Sequence, residues 1–443
     1  MLNSKARGYI YRKIKRLTES SSLFRLVFFL LAGVFSVFKN VIISSLIVFR
    51  TKFSRSSNDP LRVVIIAPLN SPHLKAFLST FEKHFHDNRD LKILLINSTP
   101  EHLAGSFDWK YQMLGKEIYY LLGYRSDPVK WARDIHLRAS NNLVKVAEDF
   151  IKRRINKFRP DIIWLHDLQS AGYLVGNILA SIKDKLPKLN VYASVWGNDL
   201  YHFYEHPAHL KQLRSLMPLI NYLHAEAPRD EIIAKKVGFS GEMLPVCSIT
   251  LNSIENFLAI PDKQNNKNER DIYILLKGTY YLRTNLNYFF DQLQQSPDFW
   301  MNKKILLLGP SDEDRFRCEK LVANNGLKIE MLDSVDHSSY IDYLCRSKYH
   351  LSSNLSDGIP NSVAEAVFAG CFPVFSNHTG LSDLLSVEQK KSMEYQLGEC
   401  DFIRHFEMLD VSSERDIILQ SMRVLFESVV FSPEITRRVL AKI

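Results

Sequence analysis

Two acidic residues in the second half of the sequence flank the start of a predicted helix. Asp357 lies in a loop of Gly and Pro, and Glu365 follows with seven residues between them. Either Asn361 or Ser362 can cap the helix, which ends at Gly370. Because the amino end of a helix carries partial positive charge, both carboxylates can face an anion bound there. The arrangement suits a diphosphate, with carboxylates left over for sugar hydroxyl groups.

This stretch resembles a motif of the retaining GT-B glycosyltransferases of family 4. The family carries E-G-x-P, then Glu-Ala after four residues, then Gly and Pro-Val, and the run 357–374 follows that order with Asp357 in place of the first Glu. The resemblance implies that the first acid contacts the donor sugar and that Glu365 contacts the ribose. Because Asp is one methylene shorter than Glu, the motif is a weaker guide to the donor sugar than to the nucleotide. The alternative is a solvated loop before a structural helix.

The resemblance also implies cations that hold the donor diphosphate. The family's second domain opens with a strand that ends in Gly, followed by Arg or Lys, and here Gly278 ends such a strand with Lys277 and Arg283 beside it. Negative charge develops on the leaving group, so cations there would stabilise the transition state. Both could instead be ordinary surface charges. The predicted catalytic residues are Asp357, Glu365, Arg283 and Lys277, and the predicted donor-binding residues are Gly278, Gly309, Gly358, Asn361, Ser362 and Glu365.

Four residues in the first half are predicted to bind the acceptor. His166 ends a predicted strand, and doubly wound sheets bind ligands beyond the carboxyl ends of their strands. Trp196 stands where the family commonly has His, in a W-G-N-D run that resembles bacterial surface-polysaccharide enzymes; it can stack on a sugar but cannot act as a base. Asp199 either caps the next helix or binds a sugar hydroxyl group. His73, in the first loop, is either a polar contact or structural.

Short apolar runs alternate with amphipathic stretches after residue 58, a pattern typical of parallel, doubly wound α/β sheets. A chain of 443 residues, 46% of them hydrophobic, can build two such domains. We therefore predict an α/β GT-B architecture of two Rossmann-like domains that face a cleft. The predicted units are an arm at 1–58, an acceptor domain at 59–250, a nucleotide-sugar domain at 251–420, and a C-terminal helix at 421–443 that closes the second domain or crosses back to the first.

The predicted arm has a net charge of +10, and the rest of the chain one of −1, within the total of +9. Residues 1–55 hold eleven Lys and Arg against Glu19 alone, around an apolar run, 23–49, that Arg25 and Lys39 interrupt. A span needs about 20 apolar residues, and basic flanks at both ends favour a helix in the membrane plane at the cytoplasmic face. A single span or a buried helix are the alternatives. Charge segregated with apolar residues argues against nucleic-acid binding, and five cysteines without C-x-x-C spacing predict neither zinc nor disulfides.

The function implied is a retaining glycosyltransferase of cell-surface polysaccharide or lipopolysaccharide synthesis. Its partners would be a nucleotide-sugar donor, a saccharide or glycolipid acceptor and the membrane surface. No D-x-D signature appears where a metal site would be needed, so we expect no metal, and the nucleotide sugar is a co-substrate, so we expect no cofactor. Two alternatives stay open: a GT-B sugar-nucleotide epimerase or hydrolase, and a scaffold without activity, since the family's first-loop glycines and usual histidine are missing.

Overall fold

The computed structural model describes most of the chain after residue 59. The described residues are 60–68, 72–86, 91–98, 141–248, 255–260, 270–278, 284–333, 335–396 and 401–442. The predicted arm at 1–58 and Arg283 lie outside them. Within these ranges, no helix combines the length and apolarity that a membrane crossing requires.

The first domain is built on a six-stranded parallel sheet in the order β2-β1-β3-β4-β5-β6. Its strands are β1 Leu61–Ala67, β2 Leu91–Asn97, β3 Ile162–His166, β4 Asn190–Ser194, β5 Tyr222–His224 and β6 Glu242–Met243. Its helices are α1 Pro72–His86, α2 Asn141–Phe158, α3 Tyr173–Lys185, α4 Asn198–Tyr201, α5 Pro207–Leu216 and α6 Pro228–Lys236, with a π-helical turn at Leu168–Gly172 and 3-10 turns at Phe203–Glu205 and Met217–Leu219. The run β1 is buried from Val63 to Ala67 because helices cover both faces of the sheet.

The second domain repeats this plan with the strand order β12-β11-β10-β7-β8-β9. Its strands are β7 Ile272–Lys277, β8 Ile305–Leu308, β9 Ile329–Leu332, β10 Ser347–Ser352, β11 Phe372–Ser376 and β12 Glu394–Tyr395. The helices are α7 Glu255–Leu258, which precedes the sheet, then α8 Asn287–Gln295, α9 Pro297–Trp300, α10 Asp312–Asn325, α11 His337–Arg346, α12 Asn361–Phe368, α13 Val387–Met393, α14 Phe402–Val411, α15 Arg415–Leu425 and α16 Pro433–Leu440, with a 3-10 turn at Gly380–Leu384 and a π-helical turn at Phe426–Val430. The domain's first strand, β7, lies at the centre, between β10 and β8, as in doubly wound nucleotide-binding sheets.

The C-terminal helix returns to the first domain. Val439 and Leu440 of α16 are buried in the cluster that contains Phe77 of α1 and Trp164 of β3. The ammonium of Lys442 lies 2.6 Å from a carboxylate oxygen of Glu242. Of the two predicted roles for this segment, the structure shows the crossing, while α15 packs in the core of the second domain.

Candidate active site

The helix α12 begins at Asn361 without a side-chain cap. Its N-cap residue is Pro360, which makes no capping hydrogen bond. The prediction that Asn361 or Ser362 caps the helix is wrong, because both are already helical residues. Proline has no side-chain oxygen that could accept a backbone N–H of the first turn. The amino end of α12 therefore keeps its partial positive charge for a ligand.

Lys277, at the end of the first strand of the second domain, lies near the acidic residues of the motif around α12. It is the last residue of β7, and its ammonium lies 4.3 Å from the centroid of the Tyr340 ring. Removal of water by the surrounding protein lowers the pKa of Lys277, and the nearby carboxylates of Glu365 and Asp357 act in the opposite direction. One cation and two anions distant in sequence thus lie near enough to one another to interact, and Glu365 and Asp357 belong to α12 and to the loop before it.

The carboxylate of Glu365 is held by a histidine that the sequence analysis missed. His337 Nε2 lies 2.8 Å from Glu365 Oε1, and the Glu365 side chain is 14% exposed against 73% for His337. His337 opens α11, for which Asp336 is the N-cap residue. No spacing in the sequence pairs residues 337 and 365, since the contact joins two separate βα units. A bound ribose would have to compete with His337 for this carboxylate.

The loop that carries Asp357 is fixed by its own hydrogen bonds. Asp357 Oδ1 accepts the Gly358 N–H at 2.9 Å, and Asp357 Oδ2 accepts the side-chain amide of Asn354 at 2.7 Å. Isolated bridges join Asp357 to Thr379 and Asn354 to Thr284. The half-buried carboxylate is therefore oriented before any ligand arrives.

Two predicted donor-binding glycines lie at the carboxyl ends of neighbouring strands. Gly278 follows β7, and a Cβ there would stand 2.3 Å from the carbonyl oxygen of Gly309, which follows β8. Gly309 itself has φ of +61° with nothing near the place of its missing Cβ. The structure thus explains Gly278 by the close approach of two strand ends, whether or not a ligand contacts it.

The side chains of His166 and Asp199, both predicted to contact the acceptor, are buried inside the first domain. His166 does end β3, but it is 1% exposed and its ring lies 4.0 Å from that of Phe77. Asp199 is 3% exposed and accepts the backbone N–H groups of Leu168, at 3.4 Å, and Trp196. Asp199 does not cap α4, as one of its two predicted roles had it, because it lies within that helix, whose N-cap residue Gly197 makes no side-chain capping bond. Donors within the chain contact both of its carboxylate oxygens.

Of the other two predicted acceptor residues, Trp196 is half-buried, and the centroid of its ring lies 6.4 Å from that of His166. His73 is the second residue of α1, and the surroundings of its side chain lie outside what the structure describes. A role for these residues in acceptor binding stays a prediction.

Comparison with known proteins identifies the architecture. No protein-family model matches the sequence, and no curated protein matches it. Among solved structures, the chain is similar to apo WaaB, a lipopolysaccharide outer core galactosyltransferase, with a TM-score of 0.58 and 13% identity over 86% of this chain and 100% of that one. Sucrose-phosphate synthase from Thermosynechococcus elongatus gives a TM-score of 0.59 and 12% identity, with 86% and 100% covered. Anabaena HepE in complex with UDP-glucose gives 0.55 and 10%, with 86% and 99% covered.

This chain has the GT-B fold. The two six-stranded parallel sheets and the matches over the full length of these structures confirm the predicted architecture. The likeness at such low identity concerns the fold. Cys247, Cys318, Cys345 and Cys371 are buried. No cluster of three His, Cys, Asp or Glu suited to a metal occurs in the ranges described.

Asp230 is a fully buried carboxylic acid. It lies in α6, is 0% exposed, and neither side-chain oxygen has a hydrogen-bond partner among the described residues. Burial raises the pKa of Asp230 to about 7, with the guanidinium of Arg229 opposing the shift and Asp383 adding to it. Burial and the neighbouring Asp167 also raise the pKa of Asp199.

Replacing Asp230 with asparagine is expected to change how stability depends on pH. Because the folded-state pKa exceeds the ordinary value near 4, the folded protein keeps a proton that the unfolded chain has lost between pH of about 4 and about 7. The free energy of unfolding then falls as pH rises through this window. Asp230→Asn should therefore gain melting temperature over the unmodified protein as pH rises from 5 to 8, with exposed Asp184→Asn as the control. A difference that stays constant with pH would contradict this.

Proposed function

We propose that this GT-B protein is a glycosyltransferase that moves a sugar from a nucleotide-sugar donor to a saccharide acceptor. The observation that carries the proposal is the gathering of Lys277, Asp357 and Glu365 at the uncapped amino end of α12. The GT-B structures that it resembles include a galactosyltransferase by name and one bound to UDP-glucose. These features support a donor site in the second domain.

Each residue has a role that its position suits. The donor diphosphate would lie against the amino end of α12 with the ammonium of Lys277 beside it, so that fixed positive charge meets the charge developing on the leaving group. Glu365 would accept hydrogen bonds from the ribose hydroxyl groups. Asp357, pre-oriented by Asn354, would face the donor sugar. Arg283 remains proposed as a second cation.

The reaction that we propose is retaining and needs no metal. The acceptor hydroxyl oxygen attacks the anomeric carbon from the face that the diphosphate leaves; the new C–O bond forms as the bond to the phosphate oxygen breaks, and that oxygen takes the hydroxyl proton. The departing phosphate thus serves as the base, so the protein has to stabilise negative charge more than to remove a proton. The site supports this division, because it offers an ammonium and a helix amino end.

Transfer of label is the decisive experiment. Thermal shift with UDP, GDP, ADP and dTDP sugars selects the donor, and the sugar-labelled donor is then incubated with a lipid-linked saccharide fraction. We expect label in the lipid-saccharide product with its anomeric configuration kept. Release of free labelled sugar alone would indicate a hydrolase, conversion of the donor to its epimer would indicate an epimerase, and binding without turnover would indicate a scaffold; each would overturn the proposal.

We further propose that the acceptor is lipid-linked and that the enzyme works at the cytoplasmic face of the membrane, in surface-polysaccharide or lipopolysaccharide synthesis. The support is the basic, apolar run at 1–58. Anionic headgroups attract such a segment by about 1 kcal/mol for each basic residue near the surface. We expect the full chain to float with liposomes that contain anionic lipid, and a chain that begins at Asn58 to stay in the dense fraction. Equal flotation of the two chains would refute the membrane tether.

A further inference from the structure

The first domain contacts the donor loop through the connection between β5 and α6. Glu226 in this connection is 6% exposed, and its Oε2 accepts the backbone N–H of Ile359 at 3.1 Å. Ile359 lies directly between Asp357, the proposed sugar contact, and the start of α12. A carboxylate of one domain therefore anchors the backbone of the other at the proposed catalytic site.

Arg229, in the first turn of α6, adds a second anchor. Its Nη2 donates to the carbonyl oxygen of Asp357 at 2.6 Å, and its Nη1 donates to that of His378 at 3.0 Å. The guanidinium carbon lies 3.7 Å from the centroid of the Tyr201 ring, and the backbone N–H of Arg229 donates to Asp383 at 3.2 Å. Only a planar, multidentate side chain makes such a set of contacts, so this arginine holds two loops of the second domain at once.

Glycines without room for a side chain show how closely the domains approach. A Cβ on Gly197, whose φ is +70°, would stand 1.8 Å from the backbone nitrogen of Gly358. A Cβ on Gly358 would stand 2.1 Å from Glu226 Oε2, and one on Gly380 would stand 2.4 Å from the Cβ of Ala227. Gly358 must therefore be a glycine because the first domain packs against it. This reason is independent of any close approach of a phosphate.

We propose that Glu226 and Arg229 are positioning residues of the donor site, which fix the loop 357–360 from across the domain interface. The proposal rests on the proposed function, since it names how that same site is assembled. Asp357 and the amino end of α12 belong to the second domain, yet their loop takes its backbone partners from the first. The donor site is complete only while the domains are in contact, so donor binding and domain contact support each other.

Hydrogen exchange on the ligand-free protein tests the anchor directly. The segment 354–362 is followed by mass spectrometry in the unmodified chain, in Glu226→Ala, in Glu226→Gln and in Arg229→Ala, with exposed Arg214→Ala as the control and the buried strand β8 as the internal reference. We expect exchange in 354–362 to quicken about tenfold or more in both alanine variants, less in Glu226→Gln, whose amide oxygen can still accept the Ile359 N–H, and not at all in Arg214→Ala. Unchanged exchange in the alanine variants, or equal quickening in β8, overturns the proposal. Should Glu226→Ala fail to fold, Glu226→Gln and Arg229→Ala still decide it.

Binding of UDP, measured by calorimetry, supplies the second readout. Affinity for UDP should fall about tenfold in Glu226→Ala and Arg229→Ala, with a smaller loss in Glu226→Gln, because a mispositioned loop must be ordered at the expense of binding. A purely structural contact would lower the melting temperature and leave the affinity unchanged, which would overturn the positioning role. If the unmodified chain binds none of the four nucleotide sugars screened, the proposed function is wrong. The exchange experiment, which needs no ligand, still tests the contact between the domains independently.

Discussion

Replacing Lys277 with alanine is expected to reduce the rate of sugar transfer about 10²- to 10³-fold, the cost typical of removing one preorganised group that stabilises charge in a transition state. Lys277 ends β7, and the carboxylates of Glu365 and Asp357 lie near enough to act on its ammonium. A fixed positive charge beside a departing diphosphate stabilises the negative charge that develops there. The loss should therefore fall mainly on kcat.

The measurement is steady-state kinetics with the donor that thermal shift identifies. Exposed Lys391→Ala, on α13, is the matched control and should keep the full rate. Lys277→Arg should recover part of the activity, because it restores the charge with a different shape. A Lys277→Ala enzyme with unchanged kcat would show that the ammonium does not act on the leaving group. A loss shared by Lys391→Ala would indicate that the assay reports something other than the site.

Replacing Glu365 with glutamine is expected to raise KM for the nucleotide sugar about 10-fold or more while kcat changes little. The substitution keeps the size of the side chain and removes its charge, and hydrogen bonds to a charged group contribute about 1.5–3 kcal/mol against about 1 kcal/mol for a neutral pair. A ribose contact made equally in the ground state and the transition state affects KM alone. The side chain is only 14% exposed, so water replaces the lost bond poorly.

The control for this substitution is Glu319→Gln, exposed on α10. Calorimetry with the free nucleotide should show the same loss of affinity as KM does, since the ribose belongs to both ligands. A second variant, His337→Ala, frees the Glu365 carboxylate of its present partner at 2.8 Å and should not weaken nucleotide binding as Glu365→Gln does. A fall in kcat without a change in KM would place Glu365 at the reacting sugar instead of the ribose.

The sequence predicted the local elements well because each depends on nearby residues. The strand β3 ends at His166, and β7 ends at Lys277 directly before Gly278, as expected. In the second half, the sequence predicted that Lys277, Asp357 and Glu365 lie near one another, since a parallel sheet brings the ends of its strands to one edge, and in the structure the two carboxylates are near enough to act on the ammonium. The alternation of apolar strands with amphipathic helices and the order of the motifs are both visible in the sequence, so these features could be predicted from it.

The burial of a residue depends on what covers it, which the sequence did not show. His166 ends β3 and Asp199 lies in α4 after β4, yet Phe77 packs on the histidine ring, and the backbone N–H groups of Leu168 and Trp196 contact the aspartate. The position of a residue in a strand says which edge of the sheet it occupies. Depth below that edge is set by neighbouring loops and helices, which sequence spacing does not reveal.

The sequence by itself determined two Rossmann-like domains, the order of their strands and helices, and the acid-rich motif before α12. Tertiary structure alone decided that α16 packs on the first domain, that His337 meets Glu365, and that Gly358 lies against Glu226. The physical reason is range: hydrophobic periodicity and turn chemistry act over a few residues, whereas these contacts join segments separated by tens to hundreds of residues and exist only once both domains have packed.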